Sequence, residues 1–536
     1  MKNCQNTLEE QCYDSKLTKK NKSIQYLAKS GFLDVKNECQ NSIELENNII
    51  PLSEPLKIKN KSSFQNIKNI YKQYQKVIEL ILSLIFTIIL PILISPILIG
   101  KENQKATEAI LTISIPLAMF LGMAIGGNDI CNSMGASYGS KTLTMRQAII
   151  LGCIFESLGA ILLGKNVAKT IGTSIIDPLQ YQENQILFIV SMTTILGAAA
   201  FSSLCVTIYG LPVSITQGII FSMATVGIIS VGWDGVKQQQ VANILIALFS
   251  SPVVGVVISF LIYLLIINLI KKKQNPLKAS NRYLPIFGFL SVYIVVFLVF
   301  YKGIELEPIW LGNIISLSIG ALTGLILHVY NMKQNTCYLE KDSQHCPNSE
   351  EIEKDTFIQL DIKSQNIFRP LLIISACCVS FTHGANDIGN CIGPLSIIYG
   401  YYKNDELEEN INIPFFTLIL GAIAFSIGII LVGKRTIKTF GSGLSSIDPM
   451  KGFAVQFGTS GAILISTLIG MPVSTSHCAI GSILGSTMAE FISKEPYQFS
   501  INQLKKIIAS WIYTIPFVCI ISVLFFYALK AIYIEV

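Results

Sequence analysis

Charged residues are scarce in this chain. Asp, Glu, Lys and Arg make up 14% of the 536 residues, whereas a soluble domain carries about 25%. Hydrophobic residues make up 51% and collect in runs of about 20, the length that crosses a bilayer. The runs are continuous rather than alternating, which disfavours a β-barrel. The composition therefore predicts an all-α polytopic membrane protein embedded in the lipid bilayer.

Metal-binding and secretory signals are also missing. The 13 cysteines have neither the spacing of a zinc site nor that of a disulfide framework. No cleavable signal peptide precedes the first apolar run, which favours a plasma-membrane or secretory-pathway location, with the plasma membrane expected. Residues 1–76 are polar and rich in Asn, Lys and Gln, which predicts a disordered cytosolic tail. We interpret its lysines as a solvated positive-inside segment rather than a nucleic-acid site, and we predict no cofactor.

Apolar runs and polar breaks divide the rest of the chain. We expect about 12 transmembrane helices, with some runs forming broken helices or re-entrant segments. The basic stretch from Lys271 to Arg282 and a longer charged segment are assigned to the cytosolic side. The predicted units are the tail 1–76, a first transmembrane half 77–270, linking transmembrane segments 271–330, a hydrophilic central loop 331–367 and a second transmembrane half 368–536.

A duplicated motif is the most informative feature of the sequence. Each copy ends a long apolar run: Gly126-Gly127-Asn128-Asp129-Ile-Cys-Asn132 and Gly384-Ala385-Asn386-Asp387-Ile-Gly-Asn390. Further blocks repeat in the same order, including Asp-Pro and Gly-x-Pro-Val-Ser. A duplicated unit with an odd number of crossings gives two inverted-topology repeats, related by a pseudo-two-fold axis in the membrane plane.

The repeated Asn and Asp residues are candidate ligands. Asp129 and Asn132 are three residues apart and share a helix face, as do Asp387 and Asn390. With Asn128 and Asn386 they would bring two carboxylates and several amides to one cavity. Carboxylate and amide oxygens suit a hard cation such as sodium, for which Asp129 and Asp387 are the candidate ligands, whereas amide N–H groups suit an oxyanion. We expect the adjacent glycines to let the helix open. The alternative is a structural polar contact between packed helices.

The two Pro-Val-Ser segments are candidate anion sites. Ser214 and Thr216 follow one proline, and Ser474 and Ser476 follow the other, each at the start of an apolar run. Free N–H groups at a helix start, together with hydroxyls, form a corner that a phosphate-like anion fits. The alternative is plain N-capping by serine.

Three further titratable residues stand in or beside apolar segments. His383 precedes the second Asn-Asp motif and His477 follows Ser476; the first half has Ile125 and Gln217 there. The histidines are either proton-sensing groups or anion donors, or else packing residues. Glu156 lies inside an apolar run, and its repeat partner is Phe425. An acid in this position is ion-coupled or paired with a cation.

These motifs together resemble the inorganic phosphate transporters of the PiT (solute carrier 20) family. The resemblance rests on Gly-Gly-Asn128-Asp129-Ile-Cys-Asn132, on His383-Gly-Ala-Asn386-Asp387-Ile-Gly-Asn390 and on Pro472-Val-Ser474-Thr-Ser476-His477. It implies inverted repeats and uptake of orthophosphate coupled to sodium or, in some members, to protons. It also implies that the Asn and Asp residues of both motifs, Ser214, Thr216, Ser474 and Ser476 line the site, and that Glu156 is the glutamate needed for transport. The family's histidine after the first Pro-Val-Ser is Gln217 here.

The sequence therefore predicts a phosphate symporter, with sodium as the expected coupling ion and the proton as an alternative. Sodium near the two acids would remove their repulsion of phosphate. Sulfate or another oxyanion is an alternative cargo, although protonated phosphate donates a hydrogen bond to carboxylates that sulfate lacks. An intramembrane aspartyl protease using Asp129 and Asp387 lacks its usual motifs, so no enzyme is predicted. A nutrient sensor on the same scaffold and a homodimer are further hypotheses.

Overall fold

The computed structural model describes residues 105–208, 213–303, 306–342, 351–407, 412–440 and 445–534. The predicted tail 1–76 and the apolar run 77–100 lie outside the described residues. Within these ranges the chain is helical, and β-pairing is confined to the isolated bridges Ile176–Val236 and Ser445–Phe499. The two bridges occupy matching places in the two halves.

The helices follow one another with short connections. They are α1 (Lys105–Gly139), α2 (Met145–Ser174), α3 (Gln185–Ile208), α4 (Ile215–Val231), α5 (Gln238–Ile266), α6 (Pro276–Leu298), α7 (Ile309–Asp342), α8 (Glu351–Ile367), α9 (Arg369–Asn404), α10 (Phe415–Leu431), α11 (Gly433–Phe440), α12 (Pro449–Leu468), α13 (Thr475–Ser493) and α14 (Ile501–Tyr533). Short 3₁₀ turns occur at Pro178–Tyr181 and Trp233–Gly235, and π turns extend α5 and α6 over Ile267–Lys271 and Val299–Gly303.

Eight helical segments of the described chain are long and apolar enough to cross a membrane. They are Thr107–Gly139, Met145–Thr173, Gln185–Ser203, Gln238–Lys271, Pro276–Lys302, Ile309–Lys333, Gln359–Asn404 and Ile501–Tyr533. The apolar helices α4 and α10 are shorter. The all-α polytopic class is confirmed, and the chain is an integral multi-pass membrane protein.

The polar segment 331–367 is more regular than a loop. Helix α7 runs on to Asp342, and α8 covers Glu351–Ile367. Lys, Glu and Gln favour helices when exposed to water, so this connection is helical on both sides of residues 343–350, which lie outside the described ranges.

The breaks in the apolar runs occur at the Pro-Val-Ser segments. Helices α4 and α13 begin just after Ser214 and Ser474, whose hydroxyls accept the backbone N–H of Gln217 and His477 at 3.2 and 3.3 Å. Gly470, with φ of 74°, ends the turn before the second break, a conformation that glycine adopts without steric cost.

The Asn-Asp motifs, in contrast, lie inside unbroken helices. Helix α1 passes through Gly126 and Gly127, and α9 passes through Gly384 and Gly389. The expectation that these glycines open the helix is therefore wrong. They allow helices to touch instead: a methyl group at Gly384 would lie 1.9 Å from the carbonyl oxygen of Glu156, on α2.

In these close contacts, a helix of each half touches a helix of the other half. Gly384 of α9 meets Glu156 of α2, and its repeat partner Gly126 of α1 meets Phe425 of α10, which is the partner of Glu156. Larger groups of helices also pack across the two halves. Helix α5 packs on α12 and α13, and α14 packs on α3 and α4. Such reciprocal contacts are the pattern of a two-fold relation. The opposite orientation of the copies in the membrane stays a prediction.

The distribution of side chains is that of a protein in lipid. Large apolar residues are exposed on the outer helices, among them Phe249 on α5, Leu325 on α7 and Tyr513 on α14. Many hydroxyl, amide and carboxyl groups are buried between helices. Polar groups in a membrane helix face the bundle interior because hydrocarbon cannot satisfy them.

Replacing Gly384 with Ala is expected to destabilise the fold. The new methyl group meets the backbone of α2, which cannot move like a side chain, so we expect the free energy of unfolding to fall by about 1–3 kcal/mol or more. The measurement is the thermal unfolding midpoint of the purified protein in detergent. Gly400→Ala on the same helix, where nothing lies within 4 Å, is the matched control. Equal midpoints for the two variants would contradict the packing role.

Candidate functional site

Two carboxylates from the two halves meet a histidine at the centre of the bundle. Asp129 on α1 and Asp387 on α9 are 3% and 1% exposed. The Nε2 atom of His383 lies 2.8 Å from Asp387 Oδ2 and 3.6 Å from Asp129 Oδ2. One ligand atom of each of the three residues falls within 4.8 Å of the others. The equivalent aspartates of the repeat therefore share one site.

Glu156 joins this cluster from α2. Its carboxylate is fully buried, and Oε1 lies 3.3 Å from Nδ1 of His383. The imidazole thus stands between Glu156 on one side and the two aspartates on the other. The two glutamate oxygens have no hydrogen-bond partner among the described residues. Three acids face a single imidazole, so the cluster lacks compensating positive charge.

The asparagine next to each aspartate orients its carboxylate. Asn128 donates to Asp129 Oδ1 at 2.7 Å and to the carbonyl of Val213 at 3.0 Å. Asn386 donates to Asp387 Oδ1 at 2.6 Å and to the carbonyl of Val473 at 2.8 Å. Both amides use their N–H groups in the same way, and each ties its motif to the Pro-Val-Ser segment of its own half.

Hydroxyl groups of each half reach the aspartate of the other half. Ser476 on α13 donates to Asp129 Oδ1 at 3.4 Å, and Thr216 on α4 donates to Asp387 Oδ1 at 3.3 Å. Asn132 donates to Ser476 at 2.9 Å, and Asn390 donates to Thr216 at 3.1 Å. The site is therefore complete only when both halves are in place.

The remaining residues of the Pro-Val-Ser segments differ in their roles. Ser214 and Ser474 use their hydroxyls as N-caps, as the alternative interpretation had it. Thr475, which the sequence did not single out, donates to Asp387 Oδ2 at 3.3 Å. The first turns of α4 and α13 thus both border the acids, and the first N–H groups of a helix carry a partial positive charge.

His477 lies apart from the acids. Its ring centroid is 3.8 Å from that of Trp511 on α14, and the structure describes no contact of the ring with Asp129 or Asp387. The histidine that enters the cluster is His383, for which the sequence left a packing role open. Its position one residue before the Gly-Ala-Asn-Asp motif was the available signal.

Several buried oxygens in this region are suited to a cation. Asn128 Oδ1 and Asn390 Oδ1, on the two Asn-Asp motifs, are buried without a hydrogen-bond partner, as are both carboxylate oxygens of Glu156. A buried acceptor that lacks a donor is costly unless a ligand or water serves it. Carbonyl and carboxylate oxygens together make the ligand set of a hard cation. The oxygen atoms therefore fit sodium as ligands, whereas the hydroxyls and helix N-termini fit an anion.

Comparisons with known proteins agree with this chemistry. Residues 125–522 match the sequence profile of the "Phosphate transporter family". A Haemophilus influenzae protein named "Putative phosphate permease" is 30% identical over 78% of this chain and 97% of its own length. The Arabidopsis thaliana protein "Inorganic phosphate transporter 2-1, chloroplastic" is 28% identical over 80% of this chain and 73% of its own length.

A solved structure has the same architecture. The protein described as "The sodium-dependent phosphate transporter" superposes with a TM-score of 0.71 and is 28% identical; the match covers 79% of this chain and 100% of that one. The profile match extends over well more than half of the chain and includes both Asn-Asp motifs. The chain therefore belongs to the phosphate transporter family, a family of transporters rather than enzymes.

Proposed function

We propose that this chain takes up inorganic phosphate by symport with sodium, as a secondary active transporter. The observation that carries the proposal is the central site, where two buried aspartates from the two repeats lie together beside hydroxyls, helix N-termini and unpartnered amide oxygens. The family and the name of the similar solved structure support the same cargo and ion. The plasma membrane is the expected location, and a homodimer stays a prediction.

Sodium binds first, close to Asp129 and Asp387. Three carboxyl groups face one imidazole there, and in a medium of low dielectric that imbalance disfavours the entry of an anion. Bound cations remove the repulsion, with Asn128 Oδ1 and Asn390 Oδ1 as further oxygen ligands. Coupling follows because phosphate is stable in the site only after the cations have entered.

Phosphate docks on the hydroxyl side of the site. Thr216, Thr475 and Ser476 lie in the first turns of α4 and α13, where free N–H groups favour an anion. Near neutral pH phosphate carries a proton and donates a hydrogen bond to a carboxylate, whereas sulfate carries none. The aspartates thus select a protonated oxyanion.

The packing of helices across the two halves suggests which groups of helices move during transport. Helix α5 packs with α12 and α13, and α14 packs with α3 and α4. Each group holds one Pro-Val-Ser segment and hence one set of hydroxyls. Rocking of these two groups about the central α1 and α9 motifs would open the site to one side and then to the other.

Proton coupling is the second candidate, because His383 connects Glu156 to both aspartates at 2.8–3.6 Å. Such a line of titratable groups suits a proton relay. A sensor without flux is the third candidate, and the flux measurement below separates it. The protease hypothesis fails, because the chain belongs to a transporter family and His383 stands beside both aspartates.

Asp129→Asn and Asp387→Asn are each expected to lower sodium-driven phosphate uptake by more than about tenfold, since each removes a charge that holds the cation. The measurement is labelled phosphate uptake into proteoliposomes with sodium or potassium outside at fixed pH. Asp177→Asn is the matched control, because Asn also caps the turn at Pro178. Uptake that follows a pH gradient and ignores sodium would replace the coupling ion. No uptake by folded protein under either gradient would overturn transport.

Substitutions of His383 and His477 are expected to have very different effects on phosphate uptake. His383→Gln removes the imidazole between the three acids and should lower uptake by about tenfold or more. His477→Gln places at 477 the residue that the first half has at 217 and should change uptake by less than about threefold. The same proteoliposome assay measures both. Equal losses would show that the ring of His477 serves the site directly.

Competition by other oxyanions tests the selectivity. A tenfold excess of arsenate, which is protonated like phosphate, should inhibit uptake strongly, while the same excess of sulfate should not. The physical reason is the acceptor-only aspartates, which repel an oxyanion without a proton. Inhibition by sulfate equal to that by arsenate would move the cargo to oxyanions in general.

A further inference from the structure

Two side chains from other helices hold the backbone of the first Asn-Asp motif. Thr436 on α11 donates its hydroxyl to the carbonyl of Gly127 at 2.8 Å. Gln456 on α12 donates from Nε2 to the carbonyl of Ser133 at 2.6 Å. These two carbonyls stand just before Asn128 and just after Asn132. We call Thr436 and Gln456 the α1 clamp.

The clamp residues are themselves fixed. Gln456 is 1% exposed, accepts the hydroxyl of Ser375 at 2.7 Å and donates to Ser137 at 3.2 Å. Its amide orientation follows from these three partners, which lie on α1 and α9. Thr436 is also buried, in the first turn of α11. Buried groups with satisfied hydrogen bonds lock the geometry of what they touch.

The second Asn-Asp motif has no such clamp. Counted from the repeated Gly-Lys pair, the counterpart of Thr436 is Val167; counted from Pro-Val-Ser, that of Gln456 is Leu196. Both are buried apolar residues. Among the hydrogen bonds of the described residues, none runs from a side chain of another helix to a carbonyl between His383 and Cys391. Side chains of other helices thus hold the backbone carbonyls of the first motif, whereas the hydrogen bonds of the second motif to other helices run through its own side chains.

We propose that Thr436 and Gln456 are positioning residues that pre-form the first-half part of the cation site, and this rests on the proposed function. Asn128, Asp129 and Asn132 then have their binding geometry before the ion arrives. The unclamped Asp387 and Asn390 adjust when the ion binds. A site that is already ordered loses less conformational freedom on binding, so the clamp sets the sodium concentration at which transport begins.

The test compares Thr436→Val and Gln456→Leu, each of which installs the residue of the other repeat, with the wild type. Thr436→Ser keeps the hydroxyl. Thr459→Val on α12 is the matched control, because its hydroxyl bonds only the carbonyl of Val455 in its own helix. Phosphate uptake into proteoliposomes is measured against sodium concentration, giving the half-saturating sodium and the maximal rate separately.

We expect the two clamp variants to raise the half-saturating sodium by about three- to tenfold, with the maximal rate within about twofold of wild type. Thr436→Ser and Thr459→Val should match the wild type. A lower maximal rate at unchanged half-saturating sodium would overturn the proposal, since that is the result of general damage. So would an equal shift in Thr459→Val.

A second measurement does not depend on transport. Cys131 lies between the two clamped carbonyls and is 1% exposed, and Cys391 lies just after the unclamped motif. Labelling by a small membrane-permeant thiol reagent, resolved by peptide mass spectrometry, should be several-fold faster at Cys131 in the clamp variants and unchanged at Cys391. Unchanged labelling of Cys131 overturns the clamp whatever the coupling ion. A wild type that ignores sodium sinks the proposed coupling, and the thiol measurement then decides the clamp alone.

Discussion

The structure depends on keeping three carboxyl groups together inside a membrane. Asp129, Asp387 and Glu156 are buried around His383, and an ionised acid away from water is costly unless it is paired and hydrogen-bonded. The asparagines, threonines and serines near them supply those bonds to Asp129 and Asp387. What they leave unsatisfied is positive charge and a few acceptor oxygens. That deficit supports the proposed order of binding, in which cations enter the site before the anion.

The second constraint is that the partners of each acid come from both halves. Thr216 reaches Asp387 and Ser476 reaches Asp129, while the helices behind them touch through glycine contacts such as Gly384 against Glu156. These contacts leave no space for a side chain on the glycine. They therefore fix the distance between the helices of the two halves. The hydroxyls, in contrast, lie on helices α4 and α13, which begin where an apolar run is interrupted at a Pro-Val-Ser segment. The proposed movement of those helices would change the site without disturbing the packing that holds the acids.

Residue chemistry made part of this site readable in the sequence. An acid flanked by amides at the end of an apolar run has few structural uses, and its repetition pointed to Asp129 and Asp387. The glycines misled, because their spacing does not distinguish a helix that opens from one that packs closely. Serine before a helix fits both a cap and an anion site. Ser214 and Ser474 cap their helices, and their part in an anion site stays a prediction. The role of His383 was ambiguous in the sequence because the first half has Ile125 at the matching position. Its contacts with Asp129, Glu156 and Asp387 come from separate helices or turns that only folding brings together.

The asymmetry of the two repeats fits the proposed symport of an anion with cations. A two-fold scaffold would bind two equal ligands, but an anion and its coupling cations need different partners at the same centre. The repeats keep the contact glycines Gly126 and Gly384 and the capping serines. They differ at polar positions: Glu156 against Phe425, His383 against Ile125 and Gln456 against Leu196. Substitutions at such positions change the site while the helix contacts that define the fold persist. Under the proposed symport, these polar differences between the halves supply the different partners that a cation and an anion need.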